Sequence, residues 1–210
     1  MAIQIIGRSS SHFTRVTRIF ALELGVEHEL LPVFEITATD SGVFAGNPAL
    51  KIPTLNRSGT LLFGAENICR ALAELSPGRK RIVWPEQLTS DLSRNAHELL
   101  WHSMNAQVQL AIGTIVAKLP ADNVFFVKIR AGFEGALRWL EANLDSALAA
   151  MPAGRDLSLF ETALFCLVEH LSFRSTISTE PYPKLKAYAG QFGERDSARR
   201  TPYRFDAPPA

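Results

Sequence analysis

Residues 2–33 read AIQIIGRSSSHFTRVTRIFALELGVEHELLPV, and the alternation of apolar and polar stretches within them decides the fold. Ala2 to Ile6 is a short apolar run closed by Gly7-Arg8-Ser9-Ser10-Ser11, the pattern of a buried strand running into a polar turn. From Thr14 onward, Val16, Ile19, Phe20 and Leu24 recur at helical spacing, and Gly25 stands where a helix stops in a left-handed residue. His28 to Val33 reads as a second strand. Strand, helix and strand in about thirty residues make a βαβ unit, whose two strands lie parallel with a right-handed crossover.

Working outward, a polar loop through Asp40 and Gly42 leads to Asn47-Pro48-Ala49-Leu50-Lys51 and then to Ile52-Pro53-Thr54-Leu55, a strand with proline near its start. Arg57-Ser58-Gly59 predicts a hairpin turn, Thr60 to Phe63 its returning strand, and Glu66 to Leu75 a helix after Gly64. The sheet then has four strands in the order βαβ-ββα. Ser76-Pro77-Gly78, continued by Arg79-Lys80-Arg81, breaks the pattern, and Pro85 opens a helical region. The expected domains are therefore 1–78 and 86–210.

Beyond Pro85 the periodicity predicts helices and no strand. Leu88 to Lys118 is interrupted only by Gly113, and Phe133, Leu137, Leu140, Leu144 and Leu148 form an apolar stripe on a helix that ends near Pro152. Ser158-Leu159-Phe160-Glu161 has the form of a capping box, and the helix it opens is apolar around most of its circumference, as a core helix is. Tyr182 to Phe192 reads as a last helix, and the Pro-rich residues from Arg199 to Ala210 as an irregular tail.

Composition narrows the partners. Lys and Arg total 22 against 21 for Asp and Glu, and a net charge of +1 gives no broad field to hold a phosphate backbone, which argues against nucleic acid. Cys69 and Cys166 lie far apart in apolar surroundings, with no Cys-x-x-Cys pair and no zinc-ligand spacing, so both read as buried thiols and no metal is expected. Met1 to Ile6 is too short for a secretory signal or a membrane span, so the expected location is the cytoplasm, off the membrane.

Several separated segments resemble the soluble glutathione transferase family, and together they extend over nearly the whole chain. Ser11-His12-Phe13-Thr14-Arg15-Val16-Thr17-Arg18 is similar to its Ser-Pro-Phe-x-Arg-Lys-Val-Arg segment, with His12 in place of proline. Asn47-Pro48-x-x-Lys51-Ile52-Pro53-Thr54-Leu55 resembles its Asn-Pro-x-Gly-Lys-Val-Pro-x-Leu, whose second proline is cis. Glu66-Asn67-Ile68-Cys69 is similar to its Glu-Ser-x-Ala, with Asn67 for serine. Ser158-x-x-Glu161 occupies the place of its Ser/Thr-x-x-Asp capping box, and Tyr182-Pro183-Lys184-Leu185 resembles its Tyr-Pro-x-Leu. The resemblance implies an α/β thioredoxin-like N-terminal domain, an all-α C-terminal domain, glutathione as co-substrate, a small hydrophobic electrophile and a homodimer, in a serine-type member similar to bacterial ones.

The chemistry asked of these residues is thiol activation. A thiol with a pKa of about 8.5 is mostly protonated at neutral pH and a weak nucleophile. A hydroxyl at a helix N-terminus donates a hydrogen bond to the sulfur, and the helix dipole adds partial positive charge, together about 1 to 3 kcal/mol in favour of thiolate. Ser11 stands at that junction, with Ser10 and then Ser9 as neighbouring hydroxyls for the same role. From composition alone, the three serines read as a polar turn that caps the next helix, and the resemblance is what favours the thiol role.

The resemblance further implies that Ile52, ahead of cis Pro53, pairs its backbone with the cysteinyl backbone of glutathione, as an added strand does. Glu66 and Asn67 would receive the glutamyl end at a helix N-terminus, although capping by Asn67 is a competing account. Lys51 would meet the glycyl carboxylate, and His12 and Phe13 would border the thiol. Trp101, His102, Met104 and Asn105, with Phe13, are candidates for a hydrophobic substrate site, against the plainer account of core packing. A non-catalytic binding or regulatory protein of the same fold is the alternative function, because a fold alone does not fix chemistry.

Overall fold

The computed structural model describes residues 3–207. Ala2, at the start of the expected first strand, and the last three residues of the expected tail lie outside the described residues. The chain forms two compact units, one running to Lys80 and joined by the residues from Gly193 onward, the other Arg81–Phe192. The expected helical domain had included everything after residue 86. The final segment instead clusters with the first unit, because Ser197, Ala198, Thr201, Tyr203 and Asp206 find their polar and stacking partners there.

The first unit holds β1 (Ile3–Gly7), α1 (His12–Glu23), β2 (His28–Pro32), β3 (Thr54–Arg57), β4 (Thr60–Phe63) and α2 (Ala65–Glu74). The strands make one sheet in the order β2-β1-β3-β4, with β1 parallel to β2 and antiparallel to β3, and β3 antiparallel to β4. Alternation sends Ile5 and Ile6 of β1 to opposite faces. Ile6 joins Val33 and the fully buried Phe44, so the segment between β2 and β3 covers one face with a small core of its own. Helices α1 and α2 pack together, and Val16, Ile19 and Phe20 of α1 and Ile68 and Leu72 of α2 are fully buried. Gly25 adopts φ +66, the left-handed stop expected after α1.

Register fixes what meets at one end of this sheet. Ile6 pairs with Thr54, and Thr54 with Phe63. The end of β1, the start of β3 and the end of β4 therefore share one edge. The turn 8–11, the Ile52–Pro53 dipeptide and the N-termini of α1 and α2 follow or precede those strands directly.

The second unit contains β5 (Ile82–Val83), α3 (Asp91–Leu110), α4 (Val124–Ala149), β6 (Leu157–Ser158), α5 (Leu159–Arg174) and α6 (Pro183–Gly193). Helix α3 packs along α4 and against α5, whose Leu164, Cys166 and Leu167 are fully buried. Cys69 and Cys166 are both buried, and neither forms a disulfide. A short helix, α7 (Asp196–Arg199), lies in the tail.

Three local expectations need correction. Two residues of β6 pair in parallel with β5, where no strand was read, because a two-residue strand leaves no periodicity; Asp156 Oδ2 extends the pairing by accepting from Arg81 N at 2.7 Å. Pro85 opens only a 3₁₀ turn, and the long helix starts at Asp91 with Ser90 as its cap. The Ser158 hydroxyl accepts from Glu161 N at 3.3 Å, but the Glu161 carboxylate binds Arg155 and does not return to the cap, so only half of the capping box forms. Gly113 does interrupt α3, in a π-helical turn over Ala111–Val116, where a Cβ on residue 113 would run into the Phe126 ring.

Candidate functional site

Ser11 is the N-cap of α1. Its extended backbone (φ −103, ψ 126) lets its Oγ accept from Thr14 N at 3.2 Å. The hydroxyl is partly exposed, and none of its hydrogen bonds among the described residues uses the hydroxyl proton as donor. Ser11 N donates to Arg8 O at 3.1 Å, which closes the preceding turn. Gly7 is required just before it, since a Cβ there would collide with the Thr14 side chain, whose Oγ1 also receives Arg8 N at 3.4 Å.

The other two serines are differently placed. Ser9 and Ser10 are each only 3% exposed. The Ser9 Oγ is buried without a hydrogen-bond partner among the described residues, and its N–H donates to Asp206 Oδ2 at 2.8 Å. His12 is the first residue of α1 and is buried, its ring 4.6 Å from that of the half-buried Phe13.

At the same sheet end, the Ile52–Pro53 bond is cis, as the resemblance implies. The segment ahead of it is held by Asn47, itself buried, whose Nδ2 donates to Lys51 O at 2.8 Å and whose Oδ1 accepts from Ala49 N at 3.0 Å. Thr54 Oγ1 donates to Phe44 O at 3.1 Å, tying the start of β3 to the covering segment. Ile52 is half-buried against that small core, while Lys51 is exposed.

Helix α2 begins beside them. Gly64 is its N-cap and makes no side-chain capping bond, and Gly64 N reaches Pro53 O at 3.4 Å. Capping by Asn67 is thereby corrected: Asn67 sits inside the first turn and is exposed, and the first amides of α2 receive no side-chain acceptor from the N-cap. Glu66 Oε1 accepts from Arg70 Nε at 3.1 Å and NH2 at 2.8 Å, so that oxygen is engaged along the helix.

The helical unit arranges its candidates differently. Trp101 Nε1 donates to His97 Nε2 at 2.7 Å, and Asn105 Nδ2 donates to Trp101 O at 2.9 Å, so residues 97, 101 and 105 share one face of α3. His102 pairs with Glu98 at 3.1 Å on the adjoining exposed face. Met104 is fully buried and belongs to the core, which removes it as a pocket residue. Phe13 lies in the first unit and Trp101, His102 and Asn105 in the second.

Three contributors escaped the reading of the sequence: Asn47 as the brace of the Ile52 segment, His97 as the partner of Trp101, and Asp206 on the Ser9 amide. The first had a local signal in Asn-x-Ala, an Asx turn. The second had the four-residue spacing of His97 and Trp101 on the expected helix, and the third had none, since Asp206 is 197 residues from Ser9.

Among the described residues, no group of three or more His, Cys, Asp and Glu gathers to hold a metal ion, and no helix is long and apolar enough to cross a membrane.

Comparison with known proteins bears on this geometry. Residues 10–75 match the family described as glutathione S-transferase, N-terminal domain. No curated protein matches the chain. Among solved structures, a glutathione S-transferase from Methylobacterium radiotolerans in complex with glutathione sulfonate is 19% identical, with a TM-score of 0.78 and coverage of 100% of this chain and 99% of that one. A glutathione-bound glutathione S-transferase from Methylobacillus flagellatus is 19% identical (TM-score 0.75; 97% and 100% covered). A glutathione transferase family member from Pseudomonas fluorescens with bound glutathione is 20% identical at the same TM-score and coverage. The chain thus has the thioredoxin-like plus helical fold of these proteins, and its residues 10–75 are similar to the N-terminal domain of that family.

Proposed function

We propose that the chain is a glutathione transferase in which the Ser11 hydroxyl, at the N-terminus of α1, holds the glutathione sulfur as thiolate for attack on a hydrophobic electrophile. The observation that carries this reading is the state of Ser11: its oxygen is occupied by Thr14 N, its proton is available to donate, and it is the most accessible of the three serines. A capping hydroxyl polarised in this way is a better donor, because accepting one hydrogen bond strengthens the next. Ser10 and Ser9 rank behind it because both are buried.

In this reading Ile52 presents its backbone to the cysteinyl residue of glutathione, and the uncapped amides of α2 receive the glutamyl carboxylate. Glu66 Oε2 takes the glutamyl ammonium, its Oε1 being engaged by Arg70. Lys51 meets the glycyl carboxylate as an exposed, screened charge, and Pro53, Asn67, His12 and Phe13 shape the walls. Trp101, His102 and Asn105 are assigned to the second substrate. The thiolate sulfur forms the new bond to the electrophilic carbon, and the leaving group departs with the electron pair. The same reading takes the chain as a cytoplasmic homodimer.

Two assays test it together. The chain is expected to be retained on immobilised glutathione and to conjugate the thiol to a model electrophile. Retention without conjugation would favour a non-catalytic glutathione-binding module, and absence of both would refute the proposal.

A further inference from the structure

The final segment of the chain runs the length of α1 in the opposite direction and ends on the turn that carries the serines. Near the last residue of α1, Glu23 Oε1 accepts from Ser197 Oγ at 2.5 Å and pairs with Arg195 at 3.4 Å. Two turns earlier, the buried Arg15 guanidinium donates to Ala198 O at 3.3 Å and Thr201 Oγ1 at 3.5 Å and lies 4.3 Å over the Tyr203 ring. Ahead of the helix, Asp206 Oδ2 accepts the Ser9 amide at 2.8 Å. The partners on the helix side fall in the order 23, 15, 9 while those on the tail rise from 195 to 206, so the segment is an antiparallel strap.

Its last contact differs from the others. Glu23 and Arg15 are side chains anchored in a helix that its own hydrogen bonds already hold, whereas Ser9 lies in the turn between β1 and α1. Ser9 is 97% buried by the complement of its 3% exposure, so its N–H has no water to fall back on if the carboxylate is removed. Ser11 is two residues on, and its N–H closes the same turn onto Arg8. A shift at Ser9 is therefore carried through two stiff peptide units to the hydroxyl at the helix start.

We infer that Asp206 is a positioning residue, and that the strap formed by residues 195–206 fixes the Ser9–Ser11 turn so that the Ser11 hydroxyl meets the glutathione sulfur. The role in catalysis rests on the proposed function, but the mechanical part does not. Because Asp206 holds the turn that carries the serines, its loss affects activation of the sulfur more than binding of the tripeptide.

The experiment uses the full chain and three forms: the natural sequence, Asp206→Ala, and Asp206→Asn, which keeps an acceptor oxygen. Amide hydrogen exchange at Ser9 is expected to be slow in the natural chain, about ten- to a hundredfold faster in Asp206→Ala, and near the natural rate in Asp206→Asn. In the conjugation assay, kcat of Asp206→Ala is expected to fall roughly tenfold while the Kd for glutathione stays within about twofold, and Asp206→Asn recovers kcat. Unchanged Ser9 exchange in Asp206→Ala would overturn the strap. Faster exchange with unchanged kcat, or an equal loss in Kd, would overturn the positioning role. If the natural chain binds no glutathione, the proposed function fails alone, and the exchange rates still decide the strap; should Asp206→Ala not fold, the Asp206→Asn exchange rate and kcat decide instead, and a loss of either there refutes it.

Discussion

The two units present their candidate residues by different means. In the first, strand register places the Ser9–Ser11 turn, the Ile52–Pro53 dipeptide and the start of α2 at one end of a sheet, and short local hydrogen bonds from Thr14 and Asn47 hold them. In the second, Trp101 and Asn105 share a helix face with His97 through hydrogen bonds at the helix's own four-residue spacing. A site built on backbone groups depends less on the side chains at its edges, where His12 and Asn67 differ from the residues of the pattern they resemble. A surface built on side chains alone changes with each substitution.

The contrast can be broken most sharply at Asn47. Asn47→Ala removes two hydrogen bonds from a buried site and leaves Lys51 O and Ala49 N without their partner. The expected loss is about 2 to 3 kcal/mol of stability, read by denaturant unfolding, with glutathione affinity weakened roughly tenfold by calorimetry. If affinity were unchanged, the brace would not be what presents Ile52.

In the helical unit the corresponding test lies at Arg155 and Glu161, a bidentate pair at 2.6 and 2.8 Å whose side chains are each 20% exposed. The hydrogen bonds that Arg155 donates to Glu161 raise its pKa above the ordinary value. Glu161→Gln is expected to cost about 1 to 2 kcal/mol in chemical unfolding and to leave glutathione affinity unchanged. A matching loss of affinity would show that the tripeptide site depends on this unit as well.

Much of the first unit was legible because its signals are local. Apolar runs of strand length, a helical stripe ending at Gly25 and the Asn47–Leu55 motif each sit within a dozen residues. The order of elements, the position of the serines at a helix start and the Ile52–Pro53 turn all follow from them. What stayed hidden depends on distant partners or on very short elements. The β5–β6 pair has two residues on each side, Glu161 is diverted from its cap by Arg155, Met104 turns into the core, and the tail returns to α1 through Arg15 and Asp206. None of these leaves a periodicity or spacing to read.

The smallest expected effect is at His28, at the start of β2. Burial holds its pKa below the ordinary imidazole value, the Val26 carbonyl opposes this, and the charges of Arg18 and Arg200 add to the lowering. The unfolded chain then takes up the proton first, so the stability contributed by neutral His28 is complete above about pH 6.5 and is lost as pH falls from there through the lower folded value. Thermal unfolding between about pH 7 and pH 5 should be steeper in pH for the natural chain than for His28→Gln, by less than about 1 kcal/mol after solvent screening. Parallel curves would remove His28 from the account.

The central claim concerns one hydrogen bond to one sulfur, and ultraviolet titration of the thiolate of bound glutathione measures it directly. In the natural chain the bound thiol is expected to ionise about one to two pH units below free glutathione, and Ser11→Ala should return it most of the way, since each unit corresponds to about 1.4 kcal/mol. Ser9→Ala and Ser10→Ala should leave it low. An unshifted thiol in the natural chain, or a shift that survives Ser11→Ala, would contradict the account.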